Sequence, residues 1–290
     1  MVRTSTPAGT GSAELVRNFS LEMTGKDIGA LREASEAIPR GTKINVTFLA
    51  NEDLQTRVAA AGLVRSLGFE PVPHISARRI VSRASLEEFL SRLQDVGATK
   101  SVFVVGGDPA TPEGPYESAW QLIRTGLLLD YGVHEVGIAG YPEGHPHISD
   151  DVLWRSLEDK VSTLAQQKLD AAILTQFAFD ADPVVGWVGA VRARGIDSPI
   201  RIGTPGPAGV KRLLGFARRF GVGANAMIVK KYGFSLTNLV GTAGPGRYID
   251  DLSGLLSHDQ SAGKVELHFY PFGGIRATTD WANAYIASHS

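Results

Sequence analysis

The chain has 290 residues and a formal net charge of -1, with 43% hydrophobic and 20% charged residues. This balance indicates a soluble globular protein with a substantial core, and it gives no bulk electrostatic case for binding nucleic acid or an anionic membrane. Cysteine is absent, which excludes disulfides, thiolate nucleophiles and Cys-ligated metal sites.

The first segment, 1–14, has no apolar stretch, so it predicts a flexible leader rather than a secretory signal. No window of about 18 uninterrupted apolar residues occurs, which disfavours a membrane span. We therefore expect a cytoplasmic protein.

Short apolar or β-branched runs, each bounded by turn residues, predict eight strands. Stretches of helical spacing lie between them; in 51–69, for example, Leu54, Val58 and Ala61 recur at helical intervals. This alternation implies parallel strands, and eight such units in about 250 residues predict an α/β protein with a (β/α)8 TIM barrel. The predicted strands are 18–24, 43–50, 70–76, 100–108, 134–142, 171–180, 199–206 and 265–272.

The alternative architecture is a doubly wound open sheet, which does not normally need eight evenly paced units. No linker or break in composition divides the chain, so we expect a single catalytic barrel over 15–290. The long interval 207–264 is expected to hold two or three helices.

Polar side chains stand at the predicted ends of most strands. In a (β/α)8 barrel these ends meet at one face, where the active site is built. Each residue taken alone has a plain explanation as a turn residue, but together they predict one pocket. The residues are Glu22, Thr47, His74, Asp108, Tyr141, His145, Gln176, Tyr270 and Arg276.

The residue types in this pocket favour some chemistries over others. A metal site is disfavoured because no His-x-His or His-x-x-x-His pair lies on or after a strand, apart from the proline-rich loop 145–147. Nucleophilic catalysis is disfavoured because the sequence has no cysteine, no G-x-S-x-G elbow and no lysine at a strand end. Glu22 and Asp108 are compatible with an acid and base pair. The glycine-rich segment 105–114 is a weak indication of a phosphate or cofactor loop.

The strand-end motifs resemble, in order and spacing, those of the methylenetetrahydrofolate reductase family, which are flavin-dependent (β/α)8 barrels. The most specific motifs are Ala-x-Tyr-Pro-Glu-x-His-Pro on the fifth strand and Thr-Gln-x-x-Phe-Asp on the sixth. With no extension for the regulatory domain of eukaryotic members, the resemblance is to a divergent bacterial, catalytic-barrel form. The matching residues are Ser20 to Glu22, Val46, Thr47, His74, Gly106 to Asp108, Ala139 to Pro146, Thr175, Gln176, Phe179, Asp180 and His268 to Tyr270.

The resemblance implies an oxidoreductase that interconverts 5,10-methylenetetrahydrofolate and 5-methyltetrahydrofolate with FAD and either NADH or NADPH. It implies that Glu22 is the general acid and that Asp108 lies between flavin and pterin. A small-molecule folate is the expected partner, and a homo-oligomer is left open. The expected folate contacts are Gln176, Phe177 and Arg276. The expected flavin contacts are Thr47, His74, Gly106, Gly107, Asp108, Ala119, Tyr141, His145 and Lys160.

The departures from the family concern the cofactor phosphates. The arginine that precedes Gly-Asp in the family is Gly106 here, and the family's phosphate-binding lysine falls on Ala165. Lys160 replaces that lysine only if the helix before the sixth strand is about a turn longer. Otherwise FAD affinity is expected to be weak, or hydride to come directly from a nicotinamide.

Two other hypotheses stay open. A barrel methyltransferase would bind methyltetrahydrofolate at the strand ends without a flavin or redox chemistry. A non-catalytic folate-binding barrel would have no need of both Glu22 and Asp108. The motif at 139–146 favours the reductase.

Overall fold

The computed structural model describes residues 11–50, 52–219, 242–259 and 261–290. The strands are β1 Ser20–Met23, β2 Lys43–Val46, β3 Glu70–Ser76, β4 Ser101–Val105, β5 Glu135–Gly140, β6 Asp170–Phe177, β7 Ile200–Pro205, β8 Ala208–Gly209, β9 Thr242–Ala243 and β10 Val265–Tyr270. Eight of them form a closed barrel in the order β1-β10-β7-β6-β5-β4-β3-β2, and all of its pairings are parallel. The predicted TIM barrel is confirmed, and the open sheet is wrong. The remaining two strands, β8 and β9, pair antiparallel beside the barrel.

The helices alternate with the strands as predicted. They are α1 Ser12–Arg17, α2 Ile28–Ala34, α3 Leu54–Ser66, α4 Arg83–Asp95, α5 Ala119–Ile123, α6 Leu127–Asp130, α7 Asp150–Gln166, α8 Ala181–Ala193, α9 Val210–Arg219, α10 Gly246–Ser257 and α11 Ile275–Ser288, with short 3-10 turns at Gly25–Asp27 and Ala77–Arg79. Within the described ranges, no helix is both long and apolar enough to cross a bilayer.

Side-chain caps start several helices at the face where the strands end. Asp53 accepts from Thr56 N at the start of α3, and Ser82 accepts from Ser85 N at the start of α4. Such caps satisfy backbone N–H groups that have no partner inside the helix. The caps and the strand ends therefore share one face, which is the face expected to carry the site.

The opposite face of the barrel is closed by ion pairs. Lys43, the first residue of β2, lies 3.6 Å from Glu70, the first residue of β3, and also contacts Glu135 at the start of β5. Arg201 on β7 pairs with Glu266 on β10 at 2.7 Å. Because these charges fill the end where the strands begin, the strand ends form the open mouth of the barrel.

One predicted boundary needs correction. The sequence assigns residues 12–14 to the flexible leader, but α1 begins at Ser12, and its Ala13, Leu15 and Val16 are buried. This helix packs against α10, α11 and β10, so tertiary contacts rather than a long apolar run hold it in place. The rest of the leader, 1–10, lies outside the described residues.

The long interval after β7 contains α9, the β8–β9 pair and α10. Segment 220–241, in the middle of this interval, lies outside the described residues. The described part of the interval contains two helices, in agreement with the predicted two or three between the seventh and eighth barrel strands.

Candidate active site

Glu22 lies at the mouth of the barrel between two histidines. Its Oε2 is 4.0 Å from His74 Nε2 and 3.7 Å from His268 Nε2, and its side chain is 21% exposed. Burial raises the pKa of Glu22, and the proximity of His74 offsets only part of that rise. The carboxyl therefore holds its proton more strongly than a carboxyl in water does.

The tautomer of His268 follows from its neighbours. Its Nδ1 lies 3.2 Å from Asn45 Nδ2 and 2.9 Å from Ser20 Oγ. Since an amide nitrogen can only donate, Nδ1 is an acceptor, and the single proton of the neutral ring sits on Nε2, facing Glu22.

Both histidines are neutral at physiological pH. Burial lowers the pKa of His74 to about 4 and that of His268 to about 3. The His74 ring packs against Phe103 with centroids 4.6 Å apart. The acid at position 22 is thus surrounded by uncharged rings, which is why no cation lowers its pKa strongly.

Sequence reasoning used His268 only as a motif residue and missed Asn45. The signal was present in the strand order: β1 lies between β10 and β2, and Ser20 is in register with His268. A polar residue near the same level on three neighbouring strands indicates a shared hydrogen-bond network.

The loop after β4 carries the second predicted carboxylate. Gly107 has a φ of +97°, and a Cβ at this position would lie 2.1 Å from Ser76 Oγ, so the loop needs glycine there. Asp108 is 76% exposed on its side chain and is held by Arg79. The hydrogen bonds from Arg79 lower the pKa of Asp108. The neighbouring Gly106, half-buried, begins this loop.

The loop after β5 brings Tyr141 and His145 together. Their rings meet edge to face, with centroids 5.3 Å apart, and His145 Nδ1 accepts from the backbone N–H of His147. A cavity of about 390 Å³ lies between this loop and the helices α7 and α8. Trp154 and Trp187 stack at 5.8 Å and line that cavity.

Lys160 lies on the inner face of α7 between the buried residues Leu157 and Leu164. It is 6% exposed and makes no hydrogen bond or ion pair within the described part of the chain. Burial lowers its pKa to about 8. Leu157, three residues before Lys160 on the same helix face, lines the cavity beside Tyr141, whereas Lys160 is not among the lining residues.

An aromatic cluster packs beside the mouth, where α9 approaches the ends of β6 and β10. Phe216 stacks on Phe272 at 3.9 Å with an interplanar angle of 9°, and Phe177 contacts Phe272 at 5.2 Å. Tyr270 donates its hydroxyl to Thr175 O at 3.2 Å. Phe177 was a predicted folate contact, whereas Phe216 and Phe272 were not predicted.

The comparisons with known proteins agree with this arrangement. The family model described as methylenetetrahydrofolate reductase matches residues 22–224, more than half of the chain. The chain belongs to the methylenetetrahydrofolate reductase family.

Two curated relatives carry the family name. Methylenetetrahydrofolate reductase 2 of Saccharomyces cerevisiae is 31% identical over 164 residues, covering 53% of this chain and 26% of the yeast protein. Methylenetetrahydrofolate reductase 1 of Schizosaccharomyces pombe is 27% identical over 128 residues, covering 41% and 20%. The chain thus matches a fifth to a quarter of the length of these relatives.

Among solved structures, dihydropteroate synthase from Thermus thermophilus superposes with a TM-score of 0.48 at 11% identity, covering 94% of this chain and 95% of that one. At these values the likeness adds nothing to the barrel topology described above.

The remaining residues expected from the methylenetetrahydrofolate reductase family lie around the same mouth, with one standing apart. Thr47 directly follows β2, and Gln176, near the end of β6, accepts from Phe177 N at 3.1 Å. Ala119 is the buried first residue of α5. Arg276 is exposed on α11 and pairs at 2.7 Å with Asp280 of the same helix, so the structure gives it no contact with the mouth.

No three histidine, aspartate or glutamate side chains are arranged to hold a metal ion in the ranges that the structure describes.

Proposed function

We propose that this protein is an oxidoreductase that interconverts 5,10-methylenetetrahydrofolate and 5-methyltetrahydrofolate, with FAD and NADH or NADPH. One observation carries the proposal: within a barrel of this family, Glu22 is a carboxyl at the mouth whose pKa is raised by burial, beside two neutral histidines. Reduction of the methylene bridge needs such an acid, because the bridging carbon becomes electrophilic only when one folate nitrogen is protonated and released.

The proton moves as follows in this proposal. Glu22 gives its proton to the departing folate nitrogen and becomes a carboxylate. The Nε2–H of His268, 3.7 Å away, then faces that carboxylate. A shift of about 1 Å completes a hydrogen bond between them, which stabilises the charge that has just formed. The reverse reaction returns the proton to Glu22.

The residues around the mouth fit a flavin. Thr47 Oγ1 and His74 Nε2 are buried, and neither has a hydrogen-bond partner in the described structure, so both suit the polar edge of a planar ring system. Lys160, a buried cation on the same helix as the cavity-lining Leu157, is the candidate phosphate contact. When bound, the flavin would accept hydride from the nicotinamide and deliver it to the folate carbon.

The flavin proposal is tested by titrating the purified protein with FAD and following flavin fluorescence and absorbance. Saturable quenching with an altered flavin spectrum is the expected result. The contrary result is no binding at 100 µM FAD while NADH- or NADPH-dependent formation of 5-methyltetrahydrofolate is retained. That result would indicate direct hydride transfer from the nicotinamide without a flavin.

The reaction itself is tested by anaerobic incubation with 5,10-methylenetetrahydrofolate and each nicotinamide in turn. We expect oxidation of one nicotinamide in a 1:1 ratio with 5-methyltetrahydrofolate formed. Binding of 5-methyltetrahydrofolate without any nicotinamide oxidation would instead favour the methyltransferase.

A further inference from the structure

Arg79 and Asp108 form a bidentate ion pair at the rim of the barrel. Arg79 closes the 3-10 turn Ala77–Arg79 that follows β3, and Asp108 lies in the loop after β4. Arg79 Nε donates to Asp108 Oδ1 at 2.9 Å, and Nη2 donates to Oδ2 at 2.8 Å. Nη1 donates to Glu113 Oε1 at 3.1 Å. The arginine side chain is 14% exposed, so it lies behind the carboxylate rather than in solvent.

The neighbouring Arg78 anchors the same loop by different contacts. Its backbone N–H donates to Gly106 O, and its guanidinium donates to the carbonyls of Pro109 and Glu117. Its own carbonyl accepts from Glu113 N at 2.7 Å. These bonds already fix the loop to the 3-10 turn, so the contacts of Arg79 with two carboxylates are not needed to close it.

We propose that Arg79 is the positioning residue for Asp108, holding its carboxylate in one orientation and offsetting its charge at the mouth of the site. The inference rests on the proposed function and on the expected place of Asp108 between flavin and pterin. The guanidinium of Arg79, from the turn after β3, thus lies beside the loop after β4. In that loop, position 106 is glycine where the family has arginine. A fork of two parallel N–H donors fixes the plane of a carboxylate as one lysine cannot.

The charges around Asp108 support this role. Arg79 contacts Asp108 from the turn after β3, and the charge of Arg219, the last residue of α9, also lowers the pKa of Asp108. Glu113 is linked to Asp108 through Arg79, which donates to both carboxylates. Asp108 therefore stays ionised, but the paired cation reduces the net charge it presents to a substrate. Because the Asp108 side chain is 76% exposed, its oxygens can accept further hydrogen bonds while Arg79 holds their plane.

The test compares Arg79→Gln with the matched control Arg78→Gln. The first readout is the pH titration of the Asp108 side-chain carbon by NMR on protein labelled with 13C at aspartate, its resonance assigned by its loss in Asp108→Asn. This measurement needs neither substrate nor turnover. We expect Arg79→Gln to move the Asp108 titration to higher pH, whereas Arg78→Gln leaves it in place and lowers the melting temperature.

The second readout is folate turnover across pH 5 to 8. Arg79→Gln should lower kcat by a similar factor across this range, because the carboxylate stays ionised but loses its fixed orientation, while KM for NAD(P)H is unchanged. Arg79→Lys, which keeps the charge but not the fork, should restore the Asp108 titration and only part of kcat; it also serves if Arg79→Gln fails to fold.

An unmoved Asp108 titration in folded Arg79→Gln would overturn the proposal. A wild-type protein with no folate turnover would overturn the proposed function alone, because the NMR titration still decides whether Arg79 holds Asp108.

Discussion

Replacing Lys160 by methionine is expected to stabilise the protein without cofactor. Burial lowers the pKa of this lysine from 10.5 to about 8. At about 1.4 kcal/mol per pKa unit, the protonated lysine opposes folding by about 3 kcal/mol at pH 7. Methionine keeps a stem of similar length and carries no charge. Lys160→Met should therefore raise the free energy of unfolding by up to about 3 kcal/mol.

The pH dependence gives the prediction its sign. Because the folded-state pKa lies below the unfolded value, the cost is fully present below about pH 8 and declines as the pH rises toward 10.5. The advantage of Lys160→Met over wild type should therefore shrink by about 1 kcal/mol between pH 7 and pH 9. Urea unfolding at both pH values measures it. The control is Lys211→Met, which removes an exposed lysine on α9.

A constant difference between Lys160→Met and wild type across pH 7 to 9 would refute the argument, since it would show that the lysine is not held as a buried cation. The same variant tests the cofactor contact. Loss of a charge-assisted bond to phosphate costs about 1.5–3 kcal/mol, so FAD should bind roughly 10–150-fold more weakly to Lys160→Met. Unchanged FAD affinity would show that Lys160 does not contact the FAD phosphates.

Other substitutions test the remaining parts of the site. Glu22→Gln should retain flavin reduction by NAD(P)H but slow the folate half-reaction by about 10²–10⁴-fold in stopped flow; a loss below threefold would remove Glu22 as the acid. Tyr141→Ala and His145→Ala should each weaken FAD binding by fluorescence titration with little change in melting, and unchanged dissociation constants would make them ordinary turn residues. Gly107→Ala should lower the free energy of unfolding by at least about 1 kcal/mol, because its φ is +97° and Ser76 Oγ occupies the space; a melting temperature equal to wild type would contradict this.

The barrel could be predicted because the sequence patterns that specify its strands and helices are local. Each strand is a short apolar run, each helix has its own periodicity, and eight repeats of the unit leave few topologies. The predicted strands ran too far at their ends: β2 stops at Val46 and β4 at Val105, so Thr47 and Asp108 lie in loops. The parallel pairing ends where the chain turns toward the mouth, and the β-propensity of the residues does not predict the position of that turn.

The parts that escaped prediction depend on contacts between distant segments. Asn45 and His268 are 223 positions apart and meet only because β1 pairs with both β2 and β10. Arg79 was not singled out, since an arginine after a strand looks like any solvated residue until the loop after β4 is placed beside it. Helix α1 was missed for the same reason, because its burial comes from helices at the far end of the chain.

Residue types alone left Glu22 and Asp108 as an undivided acid and base pair, and their surroundings in the structure differ. Glu22 lies among neutral rings, and burial raises its pKa. Asp108 lies in solvent against a guanidinium, which lowers its pKa. When their surroundings shift the pKa values of two carboxyls in opposite directions, the carboxyl with the raised pKa is the better proton donor, and the other stays an acceptor. Removing the cation at Arg79 should therefore bring the pKa values of Asp108 and Glu22 closer together. Placing a cation beside Glu22 should lower the pKa of Glu22 and abolish its role as the acid.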